Sequence, residues 1–341
     1  MKNLIIAITA TIAIGVGLVS PALAATYGGD ATGAEVTVSA TGTTIRAATG
    51  SLSISGGMAH AALPVGDIPS SATGGAVALT ASALHSAIVG SGGTTRSEAS
   101  MGGITLTVSG NQISSDFLMA RSSASCGPST AGSSELTNLV INGQAVTVTG
   151  AANQTVSLPN GTAIINSQTQ TLSGAAGELV VIALRVLTHD TITGAPIADA
   201  ALAIADAKID CSGGTSATNE FVTGGGWIPG NSGGKATFGF VAGPDNSGGF
   251  RGHFVIKDHS TGQTVHIDVI EAFSACAGSG TSTFAGSNTT TGESDNVTVS
   301  DVAEPGRDND KFRADGTYTT AAGGLQTLLG GNIQNHGFIC Q

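Results

Sequence analysis

The sequence is poor in charged and in aromatic residues. Of its 341 residues, 10% are charged, 4% are aromatic and one is tryptophan. Ligand clefts are usually lined with apolar and aromatic side chains, so this scarcity argues against a large carbohydrate-binding cleft. The formal net charge of −11 argues against nucleic acid and anionic lipid as partners, because such a surface repels both.

Glycine, serine, threonine and alanine dominate what remains. This composition is poor for helices and typical of short strands joined by turns. Apolar and small polar residues alternate in segments such as 34–39 and 104–109, and Asn-Gly pairs at 142–143 and 160–161 predict tight hairpins. We therefore predict an all-β fold of two β-sandwich-like domains, with mostly antiparallel strands and little helix after the signal peptide.

The first 24 residues have the three parts of a secretory signal. Lys2 is followed by an apolar run from Leu4 to Leu18, and Ala-Leu-Ala then precedes Ala25. A membrane anchor is the alternative, but the run is short for a span. No wall-sorting motif or apolar tail is evident at the C-terminus. We expect a secreted protein, extracellular or periplasmic, with no membrane span after signal cleavage.

A composition change divides the mature chain. Residues 213–219 are small and polar, with nothing to bury, which is typical of a linker. The predicted organisation is therefore a signal peptide at 1–24, a first β domain at 25–212, the linker at 213–219 and a second β domain at 220–341.

The four cysteines are not spaced as zinc ligands. An even number of cysteines in an exported chain favours disulfides, and three pairings are possible. We favour Cys126–Cys211 and Cys276–Cys340, because each pair then lies within one predicted domain.

The only tryptophan follows three glycines in FVTGGGWIPG, residues 221–230. A phosphate-binding loop would need Gly-Lys-Ser/Thr or a helix after the glycines, and Pro229-Gly230 blocks a helix. We predict that this stretch is the opening strand of the second domain. Its glycines would lie where another backbone or the Trp227 ring approaches closely.

Segments 252–258 and 264–271 predict a hairpin in which Phe254 lies opposite Ile267, because this register collects the apolar residues on one face. The other face carries histidines and a carboxylate. These could bind zinc or copper, although polar pairs on a solvated face have the same pattern. The residues concerned are His253, His266 and Asp268, with His259 in the turn.

The order of motifs in the second half resembles the module that follows a choice-of-anchor P domain in bacterial surface and secreted proteins. The residues that carry this resemblance are 221–228, 235–240, 258–259, 265–266, 297–301, 304–306, 310–312 and 330–334. The first half resembles the choice-of-anchor P domain itself through residues 138–143, 153–156, 158–161, 165–168, 181–186 and 209–211. The resemblance implies a secreted, β-rich bacterial protein and no catalytic residue. Its members carry different cell-surface anchors, and this sequence shows none.

An acidic run near the C-terminus suggests calcium as a possible cofactor, because carboxylates on an extracellular loop suit a hard cation. The candidate ligands are Asp295, Asp301, Glu304, Asp308 and Asp310. The spacing is not that of an EF-hand, and a solvated loop is the alternative.

Together these observations favour a non-catalytic protein of the cell envelope or its exterior. It would be structural, adhesive or an interaction module, with extracellular-matrix or cell-envelope components as partners. Two alternatives remain, a secreted hydrolase with carboxylates on its loops and a calcium-binding β module.

Overall fold

The computed structural model describes residues 25–212, 220–245, 249–276, 281–321 and 323–336. The described chain is almost entirely β-structure, and its single helical turn is a 3-10 segment, η1, at Ser70–Thr73. The predicted all-β class with mostly antiparallel strands is confirmed. The predicted signal peptide and linker lie outside the described residues.

The first half of the chain supplies fourteen strands. They are β1 (Thr26–Gly28), β2 (Asp30–Val38), β3 (Thr43–Ser51), β4 (Gly57–Ile68), β5 (Val77–Ser91), β6 (Thr94–Val108), β7 (Asn111–Ser125), β8 (Ser129–Thr137), β9 (Val140–Ile141), β10 (Gln144–Ala145), β11 (Gln154–Leu158), β12 (Gly161–Ser173), β13 (Ala176–His189) and β14 (Pro196–Asp210).

These strands form two seven-stranded sheets. Sheet I has the order β11-β12-β13-β14-β2-β3, with β1 also paired to β14. Sheet II has the order β10-β9-β7-β6-β5-β4, with β8 paired to β7. The two sheets pack face to face around an aliphatic core that includes Leu84, Met101, Leu118 and Leu202. The predicted hairpins at both Asn-Gly turns are present as β9–β10 and β11–β12.

The second half supplies ten strands. They are β15 (Phe221–Pro229), β16 (Lys235–Pro244), β17 (Phe250–Asp258), β18 (Thr264–Ile267), β19 (Val269–Ser274), β20 (Ser282–Ser287), β21 (Ser294–Ser300), β22 (Lys311–Gly316), β23 (Gln326–Thr327) and β24 (Gly330–His336).

These strands form a second sandwich. Sheet III has the order β18-β17-β16-β15-β24, and sheet IV has the order β19-β20-β21-β22-β23. Their shared core is aromatic: the Phe238 and Phe312 rings stack with centroids 4.0 Å apart, and Phe240 lies 5.2 Å from Phe284. The predicted register of β17 and β18, with Phe254 opposite Ile267, is confirmed.

Sheet III also packs on the outer face of sheet II, so the four sheets stack in the order I, II, III, IV. Residues alternate along β16: Phe238 and Phe240 enter the aromatic core, whereas Thr237 and Gly239 face sheet II, contacting Gly102 and His85. Sheets II and III are therefore each covered on both faces.

A bulge in β5 determines which of its residues face sheet III. In β5, Leu79 and Ala81 lie in the first core, but so does Leu84, and the register shifts between Ser82 and His85. Ala83 between them has a φ of 49°. The extra residue reverses the alternation, as β-bulges do, and turns His85 toward sheet III.

The Cys126–Cys211 disulfide is confirmed, with the two Cα atoms 5.5 Å apart. It joins the ends of β7 and β14, on sheets II and I. The other predicted pair, Cys276–Cys340, includes Cys340, which lies outside the described residues, and stays a prediction. Within the described ranges, the structure has no helix that is long and apolar enough to cross a membrane.

Candidate functional site

The contact between sheets II and III, which we call the seam, holds the most unusual side chains of the protein. It is built by β4, β5, β6, β7 and β8 on one side and by β15, β16, β17 and β24 on the other. Alongside apolar residues it buries polar side chains such as His85, Glu98, Ser100 and His253, whereas the two sandwich cores are apolar. A buried polar side chain must find hydrogen-bond partners, so the seam is a place where specific geometry is required.

The three glycines before Trp227 lie where neighbouring groups leave no room for a side chain, and Gly225 is the one that faces sheet II. A Cβ on Gly225 would lie 2.6 Å from Ser100 Oγ in sheet II, and one on Gly224 would lie 2.6 Å from the Phe240 ring in the aromatic core. A Cβ on Gly226 would meet the Gly330 carbonyl at 2.5 Å. The predicted structural role of these glycines in an opening strand is therefore confirmed.

A chain of hydrogen bonds crosses the seam. Glu98 Oε1 lies 3.0 Å from His85 Nε2, and His85 Nδ1 lies 2.8 Å from His253 Nε2. His253 Nδ1 then lies 2.7 Å from His60 Nδ1. We call Glu98, His85, His253 and His60 the histidine relay. Glu98, His85 and His253 are buried, and His60 is partly exposed.

The relay has one direction when Glu98 is a carboxylate, because a carboxylate only accepts hydrogen bonds. His85 then donates from Nε2 to Glu98, His253 donates from Nε2 to His85, and His60 donates from Nδ1 to His253. This direction requires that each imidazole carries a single ring proton. Burial lowers the pKa of His253 well below its usual value, and the neighbouring His85 and His60 lower it further.

A cavity of about 210 Å³ opens beside the relay. Glu98 lies in its wall and therefore connects the cavity to the relay. Two arginines on adjacent strands, Arg96 and Arg121, also line it. The opposite wall is formed by Thr223, Gln334, His336 and Glu304.

Arg96 and His336 form a pair at one end of the cavity. Arg96 Nη1 lies 3.1 Å from His336 Nδ1, and a guanidinium only donates, so Nδ1 accepts. His336 Nε2 consequently carries the proton and donates to Thr223 Oγ1 at 2.9 Å. Burial lowers the pKa of His336 well below its usual value, and the charge of Arg96 acts in the same direction. The imidazole also stacks on Phe221, with centroids 4.2 Å apart.

Two of the predicted calcium ligands are buried, so the solvated-loop interpretation does not hold for them. Asp310 accepts the backbone N–H groups of Val302 at 2.9 Å and Ile333 at 2.8 Å, and Asp295 accepts that of Tyr318 at 3.2 Å. Burial raises the pKa of Asp310 to about 6 and that of Asp295 to about 7.

The other three predicted ligands differ in their surroundings. Asp301 accepts the N–H of Asn335 at 2.9 Å. Glu304 pairs with Arg121 at 3.4 Å and accepts the side-chain amide of Gln334 at 2.7 Å. Asp308 is exposed. Among the residues that the structure describes, no three His, Cys, Asp or Glu side chains are arranged to hold a metal ion. Calcium binding stays a prediction.

The structure does not collect the histidine-carboxylate group expected on the β17–β18 hairpin. His253 turns into the seam and contacts His60 and His85. Asp268 instead accepts the N–H of Thr289 at 3.2 Å, and His259 contacts Thr237 Oγ1 at 3.1 Å.

Sequence reasoning missed the relay partners His60, His85 and Glu98. The sequence offered one signal, because His85 interrupts the largely apolar run VALTASALHSAIV. The structure buries this histidine completely. A Gly-x-Ser-x-Gly sequence at residues 230–234 was also missed. It forms the turn between the antiparallel strands β15 and β16 and not the strand-to-helix elbow of a hydrolase nucleophile.

No protein-family model matches the chain, and no curated protein is similar to it. One solved structure is a distant match, the AttH-designated protein from Nitrosomonas europaea. It is 9% identical over 97% of this chain and 100% of its own, with a TM-score of 0.20. A similarity at this level carries no argument about fold or function.

Proposed function

We propose that the protein is exported and acts without catalysis in the cell envelope or outside the cell, as a structural, adhesive or interaction module. The observation that carries this proposal is the stack of four β-sheets with a disulfide between sheets I and II. Disulfides persist in oxidising compartments and are rare in the cytosol. Stacked sheets with short connections provide a stable scaffold whose outer faces and loops can bind other molecules.

We also propose membership in the choice-of-anchor P proteins. The motifs that carry the resemblance contact one another in the second sandwich, which supports reading them as one unit. Gly306 N–H donates to Asn332 Oδ1 at 2.7 Å, and Asn332 Nδ2 donates to Glu304 Oε1 at 3.1 Å. Ile333 N–H also donates to Asp310 Oδ2 at 2.8 Å, so polar contacts join the 304–306, 310–312 and 330–334 segments.

The experiment is a turnover assay of the purified mature protein on glycan, peptide and ester panels. We expect no turnover above that of a Glu98→Gln variant. Turnover by the wild type that the Glu98→Gln variant lacks would overturn the non-catalytic proposal.

That result would support the second candidate, a secreted hydrolase. One observation favours it: Glu98 and Glu304 both line the same cavity, and paired carboxylates are the usual groups of glycoside hydrolysis. However, both oxygens of Glu304 are already engaged, Oε1 by Asn332 and Gln334 and Oε2 by Arg121. This engagement leaves Glu304 poorly placed to exchange protons.

A further inference from the structure

Among the described residues, Arg96 has no carboxylate within salt-bridge distance, whereas most of the arginines have one. Within the described residues, five of the seven arginines form salt bridges, and Arg96 and Arg251 do not. Arg96 uses Nη1 on His336, a neutral imidazole, and its remaining N–H groups stay available at the cavity. A guanidinium with free donors in a concave site fits a carboxylate, which it can hold through two parallel hydrogen bonds.

Burial supports this interpretation of Arg96. Desolvation lowers the pKa of its guanidinium, whereas Glu304 and Asp301 oppose the shift from a distance. A cation that loses hydration without a direct counter-charge gains most from an anion that enters the site.

The wall next to Arg96 offers a hydrogen-bond acceptor. Glu98 is two residues away on β6, on the same face of the strand, and only its Oε1 is engaged by the relay. A ligand that carries an ammonium or a hydroxyl group next to its carboxylate would therefore meet Arg96 and Glu98 together.

The volume limits the size of the ligand. At about 210 Å³ the cavity is smaller than the roughly 300–1,000 Å³ of pockets that hold drug-sized ligands. A cavity of this size favours a small molecule over an oligosaccharide or a peptide.

We propose that the seam cavity binds a small α-amino or α-hydroxy carboxylate, with the carboxylate on Arg96 and the α-substituent on Glu98. This site is separate from the exported, non-catalytic role proposed above, and neither proposal depends on the other. The cavity lies between two sheets of different sandwiches, so its occupant would contact both and stabilise the seam.

Three ligands with the same carbon skeleton test the assignment. L-Alanine carries an α-ammonium, L-lactate carries an α-hydroxyl and propionate carries neither. Each is titrated into the mature protein at pH 7, and binding is followed by NMR shifts of the β6 and β24 amides. We expect L-alanine or L-lactate to bind, and propionate to bind about ten-fold more weakly or not at all, since one charged hydrogen bond is worth about that factor.

Two variants locate the site. Arg96→Gln removes the guanidinium, and Ser133→Phe places a large side chain in the cavity from an exposed position on the edge strand β8. Both should lose binding. Arg251→Gln alters the other described arginine that has no salt bridge. Arg251 does not line this cavity, so the variant should still bind the ligand. NMR spectra of each variant establish that it is folded.

Several results would overturn the proposal. They are no binding by L-alanine or L-lactate at millimolar concentration, equal binding of propionate, and undiminished binding by Arg96→Gln or Ser133→Phe. Binding of inorganic phosphate in place of all three would also overturn it, because it would show an anion site without selection at Glu98.

Discussion

His253 Nε2 and His85 Nδ1 lie 2.8 Å apart across the seam, one on sheet III and the other on sheet II. Both imidazoles are buried. This contact joins the two sandwiches through side chains that come from predicted separate domains. The two halves of the chain consequently share a polar interface that depends on the protonation of histidine.

Removing the central imidazole should weaken the seam strongly. In a His253→Ala variant, His85 and His60 each lose a partner and a cavity remains, so we expect a loss of about 2–4 kcal/mol in the free energy of unfolding. Urea unfolding measures it. The control is His189→Ala at an exposed position, which should change stability by less than about 0.5 kcal/mol. Equal stability of the two variants would show that the relay contributes nothing.

The close approach of the sheets at Gly239 gives a second prediction. A Cβ there would lie 2.4 Å from His85 Cβ, so Gly239→Ala should push the sheets apart and cost about 1–3 kcal/mol. Gly177→Ala is the matched control, since its Cβ would have no neighbour nearer than 3.4 Å. Thermal melts of both variants check the difference. A Gly239→Ala protein as stable as the control would contradict the packing of sheet III on sheet II.

His60 makes the stability depend on acidity. Burial lowers its pKa from 6.5 to about 4, with His85 and Arg251 acting in the same direction, and His253 faces it across the seam. Between pH 6.5 and 4 the unfolded chain therefore binds the proton more readily than the folded protein, so this histidine reduces stability as the pH falls. The pH range of this effect is set by the pKa of 6.5 in the unfolded chain and the pKa of about 4 in the folded protein.

A His60→Asn variant removes that contribution. Its stability should fall less than that of the wild type between pH 7 and pH 4, by up to about 3 kcal/mol. Urea unfolding at both pH values gives the comparison. Parallel losses in the wild type and the variant would show that His60 does not titrate differently in the folded protein.

Asp206 has the opposite effect to His60, since it lowers the stability of the folded protein as the pH rises. Burial raises its pKa to about 7, with help from Glu178 and Asp30, and its Oδ1 has no hydrogen-bond partner among the described residues. The folded protein therefore binds the proton more readily between pH 3.8 and 7, and the ionised carboxylate costs stability as the pH rises through that range.

An Asp206→Asn variant should consequently be more stable than the wild type at pH 8, by about 1–3 kcal/mol, with little difference at pH 4. The control is Asp199→Asn, which loses the pairing with Arg185 at 2.6 Å and should gain nothing at pH 8. A difference between Asp206→Asn and the wild type that does not change with pH would refute the buried-charge explanation.

Residue alternation and turn motifs in the sequence were enough to predict the pairing of neighbouring strands within one sheet. The β17–β18 register followed from the alternation of Phe254 and Ile256, and the β9–β10 hairpin followed from its Asn-Gly turn. The run VALTASALHSAIV at residues 77–89 has no single strand period, because the bulge at Ala83 reverses which residues enter the core.

The seam could not be predicted in the same way. His60, His85 and His253 come from distant parts of the sequence, and their meeting depends on sheet III packing against sheet II. The contacts of the predicted calcium ligands could not be predicted from the sequence either. Their clustering in sequence suggested a shared ligand, but Asp295 and Asp310 accept backbone N–H groups of different segments.

Export is tested most directly by intact-mass analysis of the protein recovered from fractions of a bacterial cell that expresses it. We predict a mature chain beginning at Ala25 in the periplasmic or extracellular fraction, with Cys126 and Cys211 oxidised. A cytoplasmic chain that retains residues 1–24 and has free thiols at both cysteines would contradict it.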